Sequence, residues 1–92
     1  MNMKQKPATR RLKVFKALSR KGADEVLGYL LQNGKATFEE LKRFMKPSNL
    51  RCVLRLLFNA KLVKTMRNPD DKRFCIYILT DEKLTYHLLE II

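Results

Sequence analysis

Arg51 and Arg55 stand four residues apart in the stretch Ser48 to Asn59, a spacing that puts both on one face if the segment is helical. Asn49, Cys52 and Asn59 fall on the same side, and no acid accompanies them. Two guanidiniums with two amides are suited to a major groove. Arg can donate to guanine O6 and N7 together, and Asn can pair with adenine N6 and N7. A helix face that merely meets water can have the same composition, so its meaning depends on what surrounds it.

Catalytic chemistry has little to stand on. The chain has one His, two Cys and no Gly-rich phosphate loop, and Ser19 and Ser48 read as helix punctuation. No catalytic residue, cofactor or small-molecule effector is identifiable. Cys52, His87 and Glu90 invite a metal hypothesis, but only His87 and Glu90 share a helical face, and a ligand set would need a second subunit to complete it. No metal site is assigned. Cys52, flanked by Arg51 and Arg55, is also a candidate redox thiol. Cys75 reads as a small buried hydrophobe on a strand, facing the same side as Tyr77, and inside a cell both thiols are expected reduced.

The elements that position Arg51 and Arg55 can be read outward from them. Thr37 and Glu40 have capping-box spacing. Phe38, Leu41, Phe44 and Met45 then form an apolar stripe, with Glu39, Lys42, Arg43 and Lys46 facing water. Pro47 makes a helix boundary at Lys46, and Ser48 is placed to cap the next helix. That helix turns Leu50, Val53, Leu54, Leu57 and Phe58 inward. Two short helices so briefly linked must cross steeply. Leu62 to Arg67 reads as a strand, Asn68-Pro69-Asp70-Asp71 as a turn, and Arg73 to Leu79 as a second strand. The hairpin tip carries Arg67, Lys72 and Arg73, with Asp71 able to pair with Arg73.

Upstream, Leu12, Phe15 and Leu18 give a helix over Thr9 to Leu18 one face, with Val14 alongside. A break at Ser19 to Gly22 precedes a cleaner stripe of Ala23, Val26, Leu27, Leu30 and Leu31, and Asn33-Gly34 supplies its exit. Lys35-Ala36 reads as a very short strand. Downstream, Thr80 is the expected N-cap of a last helix carrying Leu84, Leu88, Leu89, Ile91 and Ile92.

Ninety-two residues support one domain with one modest core. The net charge of +11 implies a polyanionic partner. Residues 1–22 hold eight Lys/Arg and no acid, whereas the remainder holds twelve against nine, so the excess is concentrated in the leading segment. Such a segment can track phosphates or enter a minor groove, or simply solubilise the chain. No run approaches the ~18 apolar residues of a membrane span, and the basic start lacks the apolar centre of a signal peptide. A cytoplasmic, DNA-associated protein without a membrane partner is expected.

Phe15-Lys16-Ala17-Leu18-Ser19 ahead of a helix, then Leu54, Leu57, Ala60-Lys61-Leu62-Val63 and Ile76-Tyr77-Ile78-Leu79, resembles small winged-helix repressors of the ArsR type. Asp71-Lys72-Arg73 followed by Leu79-Thr80 is similar to the wing and wing exit of the MarR type. The similarity runs from about Val14 to the end of the chain; its motifs are loose, and their order and spacing agree. The resemblance implies a winged helix-turn-helix fold and DNA binding. Some ArsR-type repressors sense metals, but this chain has neither a paired Cys motif nor a second His. It also departs in carrying Lys61 where Gly usually precedes the Leu-Val pair, so either Lys61 is strained or the turn differs.

The expected fold is therefore α+β and mostly α: a three-helix core with a β-hairpin wing and extra helices at each end. Residues 1–8 form a basic flexible arm and 9–92 a single domain, with the helix-turn-helix at about 37–60, the wing at about 62–79 and the last helix at about 81–92. The expected function is sequence-specific binding of double-stranded DNA by a homodimeric transcriptional regulator, a repressor in the first instance. The alternatives are a non-specific architectural DNA-binding protein or a winged helix used for protein interaction. Ser48, Asn49, Arg51, Cys52 and Arg55 would form the recognition surface. Arg67, Lys72 and Arg73 would grip DNA through the wing, and Lys4, Lys6, Arg10, Arg11 and Lys13 from the arm. Leu12, Phe15, Leu84, Leu88 and Ile91 would form the dimer interface.

Overall fold

The computed structural model describes residues 7–71 and 75–91, with side chains from 11 to 71 and from 75 to 90. Helices α1 (Pro7–Ser19) and α2 (Ala23–Asn33) lead into strand β1 (Ala36–Thr37) and helices α3 (Phe38–Leu41) and α4 (Pro47–Asn59). Strands β2 (Val63–Arg67) and β3 (Cys75–Leu79) form the hairpin, and α5 (Glu82–Ile91) follows. The sheet is antiparallel in the order β1-β3-β2, with Thr65 opposite Tyr77 and Ala36 opposite the same Tyr77 on the other side. This is the expected three-helix core, α2 to α4, with a wing and two flanking helices. α1 starts at Pro7, two residues earlier than expected.

One apolar centre joins these elements. Val26, Leu27, Leu30, Leu41, Leu50, Val53, Leu57, Leu62 and Val63 are buried, drawn from every helix of the core and from the root of the wing. α1 contributes Ala17, with Val14 and Leu18 packed beside it. Leu12 and Phe15 instead face outward, so the helix buries a stripe one position round from the expected one. Phe58, expected inward, is 52% exposed because the four buried positions of α4 already fill the face that meets the core. α1 docks on α4 and α2, and α5 docks on α2, rather than chiefly on each other.

The capping box forms as its spacing implies. Thr37 Oγ1 accepts from the Glu40 amide at 3.2 Å, and Glu40 Oε1 accepts from the Thr37 amide at 2.9 Å. The Tyr29 hydroxyl donates to Glu40 Oε2 at 3.0 Å, tying α2 to α3. The Thr37 amide first, and the Tyr29 hydroxyl next, hold the Glu40 carboxyl below its ordinary value of 4.5. α3 itself is one turn long, shorter than the apolar stripe through Met45 suggests. Lys46 must be extended before Pro47, at φ −61° and ψ 146°, so the chain leaves helical geometry before it gets there.

Three residues at helix ends, Pro47, Ser48 and Thr80, depart from expectation. Pro47 opens α4 as its first residue instead of closing α3, since it needs no amide partner there and its φ is already helical. Lys46 is thus the N-cap, and Ser48 sits inside the first turn without a capping bond. Asp81 caps α5, its Oδ1 accepting from the Leu84 amide at 3.0 Å. The Thr80 hydroxyl instead donates to the Lys61 carbonyl at 2.6 Å, and the Thr80 amide donates to the Leu62 carbonyl at 3.1 Å. These two bonds fasten the end of the wing to the end of α4.

Lys61 carries the conformation that its missing glycine would have taken. Its φ is +61°, the one non-glycine residue in the left-handed region among those described. The Lys61 amide donates to the Phe58 carbonyl and the Leu62 amide to the Leu57 carbonyl, both at 3.0 Å. That pair is a Schellman stop, and its usual apolar contact is available in the buried Leu57 and Leu62.

Two outcomes follow from these local features. Lys61→Gly relieves a left-handed side chain costing about 1–2 kcal/mol and adds back part of that as backbone entropy. A net gain of roughly 0.5–1 kcal/mol is expected as a raised urea midpoint at constant slope; an unchanged or lowered midpoint contradicts it. Glu40 has a folded-state pKa below its unfolded one, so its contribution is present above about pH 4.5 and is lost as pH falls through the depressed value. Glu40→Gln should therefore lower stability near pH 7 and flatten the acid limb of the stability–pH curve, read by thermal melts from pH 7 to pH 3.

Candidate nucleic-acid interface

α4 is two-faced. Leu50, Val53, Leu54 and Leu57 are buried, while Ser48, Arg51, Arg55 and Asn59 are exposed. Lys46 is exposed beside its first turn, and Arg43 is exposed in the preceding turn. No acid lies on α4, so the outward face keeps its full positive charge.

Asn49 does not present the free amide that its place on α4 predicts. Its Nδ2 donates to the Lys21 carbonyl at 3.0 Å, and its Oδ1 accepts from Arg20 Nε at 3.1 Å. Both ends of the amide are thus engaged by the α1–α2 turn, and Asn49 locks that turn to α4 instead of presenting a free amide. Met45 Sδ lies 3.4 Å from the same Nδ2. Gly22 allows this junction: its φ is +96°, and a Cβ there would sit 2.6 Å from Met45 Cε.

The same contacts bring forward a pair that motif reading missed. Arg20 and Lys21, counted only as part of the leading charge, stand beside the first turn of α4. The Arg-Lys pair before a turn glycine was visible in the sequence; that the turn abuts α4 was not.

Cys52 is half-buried, with Sγ 4.0 Å from an Arg55 nitrogen, so it is a neighbour of the cationic face more than a member of it. Cys75 is exposed, contrary to the buried position expected, because Ile76 rather than its neighbour points into the core at the start of β3. Both thiols are free. His87 Nδ1 and Glu90 Oε1 are 3.9 Å apart on α5, the shared face expected of them. Among the described residues no group of three or more His, Cys, Asp or Glu is arranged to hold a metal ion.

In the wing, Arg67 is exposed at the end of β2, opposite Cys75. Lys72 and Arg73 lie outside the described residues, as do Lys4 and Lys6. The backbone of Arg10 is helical, and Arg11 and Lys13 are also part of α1, so these three sit on a docked helix and not in an extended arm. Between α4 and the sheet, Phe38, Arg51, Leu54, Arg55, Phe58 and Tyr77 line a cleft of about 240 Å³. Burial there pushes the Tyr77 phenol above its ordinary value.

The expected dimer residues divide in two. Leu12 and Phe15 are 69% and 73% exposed, whereas Leu84 and Leu88 are half-buried against the core of their own chain. The side chain of Ile91 lies outside the described residues. No helix among the described residues is long and apolar enough to cross a membrane.

No family model and no curated protein matches this chain. Solved structures do. A MarR mutant from E. coli complexed with operator DNA superposes with a TM-score of 0.68 at 21% identity, covering 91% of this chain and 65% of that one. Rv0081 from M. tuberculosis gives 0.72 at 23% identity over 95% and 86% of the two chains. HlyU from Vibrio cholerae gives 0.71 at 21% identity over 96% and 92%. This chain thus spans just under two thirds of the MarR chain and most of the other two. Element order, sheet pairing and these superpositions agree that the chain has the winged helix-turn-helix fold.

Proposed function

We propose that this chain is a double-stranded DNA-binding transcriptional regulator, acting as a homodimer and in the first instance as a repressor, with no catalytic role. The observation that carries the reading is the outward face of α4, where Arg51 and Arg55 are exposed with no acid beside them on the helix. An α-helix projecting from a steep helix pair is sized for a major groove. Arg51 and Arg55 meet bases or neighbouring phosphates; Arg67, Lys72 and Arg73 grip the backbone, as do Arg20 and Lys21 beside α4. The MarR mutant of the same fold was solved with operator DNA, which favours the same use here.

The dimer rests on Leu12 and Phe15. Two large apolar side chains, three apart on one helix and mostly exposed, suit burial against a second copy. A two-fold pair would set two α4 helices about 34 Å apart and favour a pseudo-palindromic site. One observation favours a second reading: with a net charge of +11, much of it ahead of α2, the chain can coat DNA without choosing a sequence.

Titration against a duplex selected from a random pool and against random duplex, at one salt concentration, separates the two. A regulator gives a ratio of ~10³ or more, and a coating protein gives a ratio near one. Arg51→Ala with Arg55→Ala should weaken binding to the selected duplex by at least ~tenfold and flatten the salt dependence; unchanged affinity would point to a protein-interaction module. Leu12→Gln with Phe15→Gln should leave the melting temperature nearly unchanged, yield monomers by sedimentation, and weaken binding to a two-half-site duplex by roughly 10² or more. A parent protein that already sediments as a monomer removes the dimer from the proposal.

A further inference from the structure

Arg51 and Arg55 are alike in sequence context but not in order. Arg51 Cζ stands 5.6 Å from the centroid of the Phe38 ring, within cation–π range. Phe38 is itself well held. It is the first residue of α3, behind the Thr37–Glu40 box, and its half-buried ring packs on the core and lines the cleft with Tyr77. Among the described residues, Arg55 has only the long contact to Cys52 Sγ.

A cation–π contact through Cζ commits none of the guanidinium N–H donors to a hydrogen bond. All five N–H donors lie in the plane, so an Arg resting on a ring can still offer its bidentate fork. Arg51 makes no hydrogen bond or ion pair with any other described residue, so that fork is uncommitted among them. A free Arg loses rotamer freedom when it docks, and one already resting on a ring loses less.

Resting on the DNA-binding reading above, we infer that Phe38 is a positioning residue that pre-orders Arg51 to take guanine O6 and N7 in the major groove. Arg51 then supplies discrimination between sequences, and Arg55, which has no cation–π partner among the described residues, supplies mainly affinity for the backbone. Phe38 touches no base in this scheme. Its effect passes through the arginine.

The test uses the full chain and a duplex selected from a random pool, with 7-deazaguanine replacing each guanine in turn to remove the N7 acceptor. Wild type should lose about tenfold in affinity at one guanine per half-site, and Arg51→Ala should abolish that penalty. Phe38→Leu, which keeps apolar bulk but no ring, should weaken the unmodified duplex about two- to fivefold. It should also shrink the deazaguanine penalty and leave affinity for random duplex unchanged. Phe38→Tyr, which keeps the ring, should restore the wild-type pattern. Arg55→Ala should retain the penalty while selected and random duplexes weaken alike. If Phe38→Leu proves unfolded by its melting curve, Phe38→Met serves in its place.

A full deazaguanine penalty in Phe38→Leu, lost in Arg51→Ala, overturns the role of Phe38 and leaves DNA binding through α4 intact. Wild-type indifference to every deazaguanine overturns guanine reading by Arg51. Unchanged DNA affinity in the Arg51→Ala, Arg55→Ala double variant overturns the DNA-binding reading itself, and this inference with it.

Discussion

Burial of one side of α4 is the constraint from which the rest of the molecule follows. Leu50, Val53 and Leu57 are fully buried and Leu54 nearly so, and each such side chain contributes roughly 1.5–3 kcal/mol. Against that, Arg51 and Arg55 repel each other across one turn by only a few tenths of a kcal/mol, as surface like-charge pairs do. The apolar side decides the rotation of the helix. The cationic side is left outward without an acid on the same helix, which keeps it available to a polyanion.

Everything around α4 fixes where that outward side points. Pro47 starts the helix, the Lys61–Leu62 stop ends it, and Thr80 ties the wing to that stop. At the other end, Asn49 bonds to the Lys21 carbonyl and to Arg20, while Gly22 makes room for Met45. A helix pinned at both ends in this way does not have to be ordered when its outward face meets a ligand, so less binding free energy would be lost. The strain at Lys61 is tolerated because Leu57 and Leu62, which the turn brings together, are both buried.

The flanking helices do different work. α5 packs Leu84, Leu88 and Leu89 onto the core of its own chain, and its buried Thr85 is satisfied by the Asp81 carbonyl at 2.9 Å. α1 packs through Val14, Ala17 and Leu18 but leaves Leu12 and Phe15 in water. Among the described residues these two are the most exposed of the large apolar side chains, ahead of Phe58, Met66 and Tyr86.

Local chemistry was legible in the sequence, and contacts between distant segments were not. The Thr37–Glu40 box, the Gly22 and Gly34 breaks, the inward stripe of α4 and the two wing strands each depend on residues within a few positions of one another, so their spacing determined them. The left-handed turn at Lys61 is one of the two outcomes that the winged-helix resemblance leaves open. Phe58 and Cys75 depart from the pattern because periodicity gives an angle but not how much partner surface exists at that angle. Ser48 and Thr80 do not cap because each has a neighbour, Pro47 and Asp81, better suited to the helix start. Asn49, Arg20 and Phe38 were beyond reach of any local rule. Asn49 meets a turn 28 residues away, and Phe38 meets Arg51 across the α3–α4 link. Only the packed core, by setting the angle between those helices, decides whether such side chains touch.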